Sequence, residues 1–292
     1  MPRPPGPAAG ARVRSEGRRV DLHTHTHFSD GALAPEELMT RAADHQLGTL
    51  AITDHDTVEA IAHARAWLAD PAAAPFELVP GVELSSAIGD LDLHILGYFV
   101  DPEHGEMLER LAQFRAERLE RARAILARLE ALGVPVDLRD VLELAGPGVV
   151  GRPHVARALI HAGHAESMED AFRRYLGAQG AAFVARPVFR PEQAIEIIHG
   201  AGGVSVLAHP GAALSVAVVE RLVGSGLRGV EVWHPQHGVA TVRRYRELSR
   251  RLGLLETGGS DFHEPGRGVE LGGMPVPQAA VARLKEAAGV VG

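Results

Sequence analysis

Short apolar segments typical of β-strands alternate with helical segments along most of the chain, and polar residues follow nearly every predicted strand. Strands are predicted at residues 20–25, 49–53, 77–83, 91–99, 204–208, 229–233 and 254–257. Helices are predicted at 35–46, 57–69, 191–199, 215–224 and 239–252. This alternation predicts parallel strands covered by helices, and a length of 292 residues suits one large α/β domain or a barrel with an insertion.

Residues 101–189 interrupt the alternation with a block of helical patterns. A long amphipathic pattern ends near Gly133, and shorter helices are predicted to begin at Pro153 and after Ser167. Residues 1–18 are rich in Pro, Gly, Ala and Arg and lack the apolar core of a secretory signal. We therefore predict a disordered leader at 1–18, a barrel domain made of 19–100 and 190–292, and a helical insertion domain at 101–189.

The composition excludes several classes of site. A net charge of −7 argues against a broad nucleic-acid-binding surface, although it does not argue against phosphate substrates. The chain has no cysteine, which excludes disulfides, thiolate nucleophiles and cysteine-type zinc sites. No stretch approaches the roughly 20 apolar residues that cross a bilayer. We expect a cytoplasmic protein that does not bind membranes, and no obligate protein partner is evident in the sequence.

Potential metal ligands lie at the ends of the predicted strands. One His-x-His pair would be weak evidence, because about one is expected by chance at this histidine content. His23 and His25, however, are two positions apart on a predicted strand, so both point to one face and can bind one ion. With the polar residues after other strands, the candidates are six imidazoles and three carboxylates: His23, His25, Asp30, His55, Glu83, His94, His209, Asp261 and His263.

This ligand set predicts metal-assisted hydrolysis. It is large enough for two or three divalent ions, and imidazoles with carboxylates suit Mn²⁺, Zn²⁺ or Fe²⁺ better than Ca²⁺ or Mg²⁺. We expect Mn²⁺, with Zn²⁺ or Fe²⁺ as alternatives.

The same segments resemble the motifs of the polymerase and histidinol phosphatase (PHP) family of metal-dependent phosphoesterases. They occur in family order over nearly the whole chain: Asp21-Leu22-His23-Thr24-His25, Ser29-Asp30-Gly31, Ile52-Thr53-Asp54-His55-Asp56, Pro80-Gly81-Val82-Glu83, His94, Ala208-His209-Pro210 and Gly259-Ser260-Asp261-Phe262-His263. The resemblance implies the PHP fold, which is a distorted TIM-like α/β barrel of the (β/α)7 type, here with a helical insertion.

The resemblance also implies three ion sites and a solvent nucleophile. The first ion would be held by His23, His25, Glu83 and Asp261; the second by Glu83, His94 and His209; and the third by Asp30, His55 and His263. A metal-bound hydroxide would then be the nucleophile, so that no protein nucleophile is needed. His27 has no ligand role in this pattern.

Within the family, three features resemble the branch of 3′,5′-nucleoside bisphosphate phosphatases, which includes 5′ to 3′ exonucleases for short RNA. They are the helical insertion, Gly151-Arg152-Pro153-His154, and the ending at residues 259–265. The resemblance implies removal of the 3′-phosphate from a substrate such as adenosine 3′,5′-bisphosphate. Only 4% of the residues are aromatic, which favours a small nucleotide over long RNA.

Four further side chains are candidates for substrate binding, and two for supporting the ligands. Arg152 and His154, at a predicted helix start, would clamp the second phosphate. His234 and His237 would line the pocket, the alternative being exposed loop histidines. Asp54 and Asp56 would orient the ligand imidazoles, the alternative for Asp56 being a helix N-cap.

Three other functions remain open from the sequence. A histidinol-phosphate phosphatase would share the metals, but the insertion and Arg152 count against it. An amidohydrolase commonly uses a carbamylated lysine, and Lys285 is the single lysine of this chain. A non-catalytic, metal-binding regulatory module is the alternative of another class, and the complete ligand set argues against it.

Overall fold

The structure is a computed structural model and describes residues 18–73, 76–89, 91–185 and 189–290. The predicted disordered leader, 1–18, lies outside the described residues except for Arg18.

Within the described residues, seven strands form one sheet whose order in space follows the order in the chain. They are β1 (Arg19–Asp21), β2 (Leu47–Ile52), β3 (Glu77–Ile88), β4 (Leu91–Tyr98), β5 (Val204–Leu207), β6 (Gly229–Trp233) and β7 (Leu255–Gly258). Strand β4 runs antiparallel to both β3 and β5, whereas the other neighbours are parallel. The prediction of parallel strands is wrong at β4, because the two residues between β3 and β4 cannot form a crossover.

Contacts beyond the ends of β1 and β7 bring the two edges of the sheet together. The Leu22 N–H donates to the Gly258 carbonyl at 3.2 Å, and Thr24 forms a parallel bridge with Phe262. Because the edges meet, the sheet forms a distorted barrel, as the resemblance implied. Strand β1 ends at Asp21, earlier than predicted, so that His23 and His25 lie just beyond the strand.

Helices surround this barrel and form the insertion. Those of the described residues are α1 (Pro35–Asp44), α2 (Ala60–Leu68), α3 (Gly105–Ala131), α4 (Leu138–Ala145), α5 (Arg152–His161), α6 (Met168–Ala171), α7 (Pro191–Gly200), α8 (Val216–Gly224), α9 (Val239–Leu252) and α10 (Gln278–Ala287). Helix α1 begins with Pro35 in its first turn, and the Glu37 carboxylate accepts from the Ala34 N–H at 2.9 Å. Helix α10 was not predicted.

The buried apolar side chains form two clusters. The larger fills the barrel and the space under its helices, and it includes Leu22, Leu50, Val82, Ile95, Val206 and Val230. The second lies among α3, α4, α5 and the following segments. Helix α3 contributes Met107 and Phe114 to the first cluster and Ile125 and Leu129 to the second, so it joins the insertion to the barrel. The domain boundaries at 101 and 189 stay a prediction.

The segment after Ser167 differs from the single helix predicted there. The Ser167 hydroxyl caps α6 by accepting from the Asp170 N–H, as expected. The chain then continues as a π-helical turn, Phe172–Leu176, rather than as α-helix. Turns of this kind are rare and occur often at functional sites.

Among the helices of the described residues, none combines the length and the apolar character that a membrane span requires.

Candidate metal centre

All nine predicted ligands gather at one end of the barrel, where the parallel strands have their carboxyl ends. Their ligand atoms form four overlapping groups, and within each group all atoms lie within 4.8 Å of one another. The groups are His25, Asp30, His55 and His263; His23, His25 and Asp261; His23, Glu83 and His209; and His55, Glu83 and His94. The barrel therefore brings together ligands that lie as far apart in the sequence as His23 and His263.

Glu83 lies at the centre of the cluster and is fully buried. Its Oε1 lies 2.7 Å from His94 Nδ1 and 2.9 Å from His209 Nε2. Its Oε2 lies between 3.1 and 3.3 Å from ring nitrogens of His23, His25 and His55. Burial opposes the charged form, but the surrounding imidazoles hold the pKa of the Glu83 carboxyl well below its usual range.

Three buried ligand atoms lie 3.1 to 3.3 Å from an oppositely charged or polar partner but make none of the well-aligned hydrogen bonds that buried polar atoms normally make. They are His25 Nε2, Asp30 Oδ1 and His55 Nδ1. Burial also lowers the pKa of His55 to about 3, so that its ring is neutral and offers a lone pair. A cation among these atoms would satisfy them, and a mixed imidazole and carboxylate set fits a divalent transition metal.

Glu231 supports the cluster, although the sequence reasoning missed it. Its carboxylate is fully buried on β6, with Oε1 3.0 Å from His23 Nδ1 and Oε2 accepting from the His209 N–H at 2.7 Å. The first contact fixes which nitrogen of His23 carries the proton and leaves Nε2 facing the cluster. The available signal was a single carboxylate in the apolar strand Gly229–Trp233.

Asp54 acts on the cluster through one intermediate side chain. Its Oδ1 accepts from the Thr26 N–H and the Ser29 hydroxyl, both at 2.6 Å, and Oδ2 accepts from the Thr26 hydroxyl at 2.6 Å. The Ser29 Oγ lies 3.4 Å from His25 Nδ1. Asp54 is thus placed to orient His25, and this role stays a prediction.

Asp56 does neither of the two things expected of it. Its Oδ1 accepts from the Ser85 N–H at 2.9 Å, and its Oδ2 accepts from Arg118 Nε at 2.8 Å. Helix α2 begins only at Ala60, so Asp56 is not its cap, and no hydrogen bond found among the described residues joins Asp56 to a ligand imidazole. The correction is that Asp56 anchors the guanidinium of Arg118.

The loop that carries Asp261 is held against β1. The buried Asp21 carboxylate accepts from the Ser260 N–H at 2.9 Å, the Ser260 hydroxyl at 2.6 Å and the Gly272 N–H at 2.8 Å. A Cβ at Gly259 would lie 2.4 Å from His23 N, so only glycine allows this close approach. Asp261 itself has a φ of 51°, which is unusual for a residue with a side chain and requires firm support of this kind.

The structure separates the two histidines after β6. His234 lines the larger of two cavities at the cluster; its Nδ1 accepts from the Gln236 N–H at 3.2 Å, which leaves Nε2 to donate to Asp261 Oδ2 at 3.3 Å. His237 instead has Nδ1 3.0 Å from the Val232 carbonyl, while Nε2 accepts from the Gly211 N–H at 3.1 Å. Both nitrogens of His237 are therefore used within the fold, and its predicted place in the pocket is wrong.

The structure also separates Arg152 from His154. His154 is 2% exposed, its Nδ1 accepts from the Gly151 N–H at 3.0 Å, and burial lowers its pKa to about 4. It caps α5 as a neutral ring and lines neither cavity at the cluster, so the clamp prediction is wrong for His154. Arg152 lines the smaller cavity, with Nη2 3.4 Å from Asp92 Oδ2, and its role as a phosphate ligand stays a prediction.

Two cavities adjoin the cluster. The smaller cavity has a volume of about 140 Å³, and its lining includes His55, His94, Arg118, Arg121 and Arg152. The larger cavity has a volume of about 380 Å³, and its lining includes Asp261, His263, Met168, Arg157 and Arg267. Asp30, Pro153 and Phe172 line both, so the cavities meet at the metal ligands.

Arg118 and Arg121 were not predicted as site residues. Both lie on α3, which the sequence suggested to be a solvated helix with an ordinary charged face. The guanidinium of Arg118 is fixed by Asp56 and by the Ser85 hydroxyl, to which Nη2 donates at 2.9 Å. No sequence signal distinguishes these two arginines from their neighbours, because only the tertiary packing of α3 turns them toward the cluster.

Comparisons with known proteins agree with this geometry. A family model described as the PHP domain matches residues 21–134. The 5′-3′ exoribonuclease Rnm of Escherichia coli strain K12 is 42% identical over 257 residues, which cover 86% of this chain and 87% of that protein. A 3′,5′-nucleoside bisphosphate phosphatase of Chromobacterium violaceum is 36% identical over 255 residues, covering 85% and 88%. A crystal structure of a metal-dependent phosphoesterase from Bifidobacterium adolescentis superposes with a TM-score of 0.85 at 31% identity, covering 93% of this chain and 96% of that one.

Proposed function

The chain belongs to the PHP family of metal-dependent phosphoesterases, and on that premise we propose that it removes the 3′-phosphate of nucleoside 3′,5′-bisphosphates. Adenosine 3′,5′-bisphosphate would give the 5′-monophosphate and phosphate. We propose the same site for trimming short RNA from its 5′ end. The observation that carries the proposal is the position of the smaller cavity, which places three arginines beside the metal ligands.

The ion sites are assigned as the family resemblance implies, and the four observed ligand groups overlap these sets without dividing in the same way. We assign His23, His25, Glu83 and Asp261 to a first ion, Glu83, His94 and His209 to a second, and Asp30, His55 and His263 to a third. We propose Mn²⁺ as the ion. When bound, such ions supply a water of lowered pKa and the positive charge that neutralises the phosphate oxygens.

Neighbouring side chains hold these ligands in the orientation that metal binding requires. Glu231 holds the proton of His23 on Nδ1, so that Nε2 stays free as a ligand. His234 donates to Asp261 Oδ2, which leaves Oδ1 facing His23 and His25 at 3.4 and 3.2 Å. These contacts fix the ligand atoms before a cation binds.

The arginines would bind the phosphate that is not cleaved. A phosphate monoester carries about −1.5 to −2 charges at pH 7, and guanidinium groups bind its oxygens in paired geometry. Arg118 is held ready by the buried carboxylate of Asp56, and Arg152 reaches the same cavity from the start of α5. Histidinol phosphate has no second phosphate and would leave these arginines unused.

One bond accounts for both proposed activities. In the bisphosphate, water adds to the 3′-phosphorus, the P–O3′ bond breaks, the 3′ oxygen leaves with a proton and phosphate is released. In RNA, cleavage of the P–O3′ bond after the first nucleotide gives a 5′-mononucleotide and a shortened chain with a new 5′-phosphate. The carbamylated-lysine mechanism does not fit, since Lys285 pairs with Glu77 at 2.6 Å and lies in α10.

The proposal is tested by comparing several substrates in the wild type and in a variant of Arg152. The Mn²⁺-loaded protein is assayed for phosphate release from adenosine 3′,5′-bisphosphate, histidinol phosphate and 4-nitrophenyl phosphate. We expect Arg152→Ala to raise KM for the bisphosphate about tenfold and to change 4-nitrophenyl phosphate hydrolysis much less, since a charged hydrogen bond is worth about 1.5–3 kcal/mol. Arg243→Ala on the exposed face of α9 is the control.

Two results would count against the proposal. Equal losses of Arg152→Ala on the bisphosphate and on 4-nitrophenyl phosphate would show that Arg152 does not bind the uncleaved phosphate. A metal-loaded protein that hydrolyses histidinol phosphate but not the bisphosphate would replace the proposed substrate.

A further inference from the structure

The three arginines proposed to bind the nucleoside bisphosphate line the smaller cavity, and none of them lines the larger one. The larger cavity is bounded by the ligands Asp261 and His263, whereas His55 and His94 bound the smaller one. Its volume of about 380 Å³ is in the range of pockets that bind small organic ligands, about 300–1,000 Å³. The smaller cavity, at about 140 Å³, corresponds to only a few water molecules of about 30 Å³ each.

The two cavities also differ in chemistry. Three arginines face the smaller cavity, which suits the concentrated charge of a terminal phosphate. The larger cavity combines apolar surface from Met168 and Phe172 with Arg157 and Arg267. Both of these arginines already have acceptors: Arg157 Nη2 donates to the Asp30 carbonyl at 3.0 Å, and Arg267 Nη1 lies 3.1 Å from Glu264 Oε1. This mixture suits a nucleotide joined by a phosphodiester, which carries a single charge and has a base that stacks on apolar side chains.

We infer that the larger cavity binds the part of an RNA substrate that lies 3′ of the scissile phosphate. The inference rests on the proposed function and deepens it. The 5′ end of such an RNA terminates in a phosphate, which the smaller cavity is large enough to hold. The remaining chain must then extend away from the smaller cavity, and the larger cavity provides space and stacking surface for it.

Phe172 lines both cavities and therefore lies where they meet. It is the first residue of the π-helical turn Phe172–Leu176, and Met168 lies one helical turn earlier at the start of α6. The two side chains therefore present a continuous apolar face next to the cluster. A base on the 3′ side of the scissile phosphate would stack on this face, and Arg267 would bind the next phosphodiester.

The consequence is a separation of the two activities. A nucleoside 3′,5′-bisphosphate has nothing beyond its 3′-phosphate, so on this inference its hydrolysis does not depend on the larger cavity, whereas that of an oligonucleotide does. Residues that line only the larger cavity therefore determine specificity for RNA.

The test uses Met168→Ala and Arg267→Ala in the metal-loaded, full-length protein, because both side chains line only the larger cavity of the two. The substrates are a short 5′-phosphorylated oligoadenylate and adenosine 3′,5′-bisphosphate. We expect kcat/KM for the oligoadenylate to fall about fivefold or more in each variant, in line with the measured worth of base stacking and charged contacts. Hydrolysis of the bisphosphate should stay within about twofold of wild type, which also shows that the variants are folded.

Each other outcome overturns the inference. Equal losses on both substrates would mean that the larger cavity holds the nucleoside common to both. Unchanged activity on both substrates would mean that RNA does not enter the larger cavity. A wild-type protein that cleaves the bisphosphate but not the oligoadenylate would show that RNA is not a substrate. A wild-type protein inactive on both substrates would instead refute the proposed function.

Discussion

Glu231 offers a demanding test of how the metal ligands are held in place. Its two carboxylate oxygens face two N–H donors, Nδ1 of His23 at 3.0 Å and the backbone N–H of His209 at 2.7 Å. Glu231→Gln keeps the volume of the side chain but replaces one acceptor with a donor. Both orientations of the new amide are unfavourable in this buried site.

If the amide nitrogen faces His209, two donors meet without an acceptor. If it faces His23, the ring must accept at Nδ1 and carry its proton on Nε2, where the cation should bind. Losing one hydrogen bond to a charged group costs about 1.5–3 kcal/mol. At about 1.4 kcal/mol for each factor of ten, the affinity for the metal should fall roughly 10- to 100-fold.

The dissociation constant for Mn²⁺, measured by isothermal titration calorimetry, checks this value. Glu256→Gln is the matched control, because Glu256 lies on the neighbouring strand β7 and its carboxylate pairs with Arg246 at 3.4 Å. We expect the control to bind Mn²⁺ as the wild type does. Unchanged affinity in Glu231→Gln would refute the idea that Glu231 fixes His23 as a ligand.

Three further predictions concern the phosphate site, pH and metal removal. Arg118→Lys should raise KM for adenosine 3′,5′-bisphosphate about tenfold in steady-state kinetics, because an ammonium group cannot bind Asp56 and the substrate in paired geometry; an unchanged KM would exclude Arg118. Burial lowers the pKa of His154 to about 4, below about 6.5 in the unfolded chain, so the unfolded state binds the extra proton and wild-type stability falls as the pH drops from 6.5 to 4. The variant His154→Asn keeps an acceptor for Gly151 but has no imidazole to titrate. Its free energy of unfolding, measured in urea, should therefore fall by about 3 kcal/mol less than that of the wild type over this pH range, and identical pH profiles would contradict the assignment. Chelation of the metal should lower Tm by roughly 5–10 °C in calorimetry, since a ligand at 100 times its Kd adds about 2.7 kcal/mol, and an unchanged Tm would contradict binding to the folded state.

Most of the barrel could be predicted because local patterns decide it. Apolar runs such as Gly229–Trp233 and amphipathic runs such as Val239–Leu252 have the bounds that were expected. The direction of β4 was also accessible in principle, since too few residues separate it from β3 for a crossover. The π-helical turn at Phe172 was not accessible, because it depends on packing within the insertion rather than on residue preference.

The ligand positions were predictable because they follow strands whose carboxyl ends must meet. Side chains that support or line the site were less so. His234 and His237 look equivalent in the sequence, and only the distant contact of His237 with Gly211 shows that it belongs to the fold. The capping role of His154 is local, at the third position of α5, and its spacing from Gly151 was the overlooked signal.

The most direct test of the central claim is to identify which phosphate leaves adenosine 3′,5′-bisphosphate. The Mn²⁺-loaded protein is incubated with this substrate, and the nucleotide product is separated from its isomer by chromatography. The arrangement of the arginines and the metal ligands predicts the 5′-monophosphate as the sole nucleotide product. Formation of the 3′-monophosphate, or no product from protein shown to contain the metal, would contradict it.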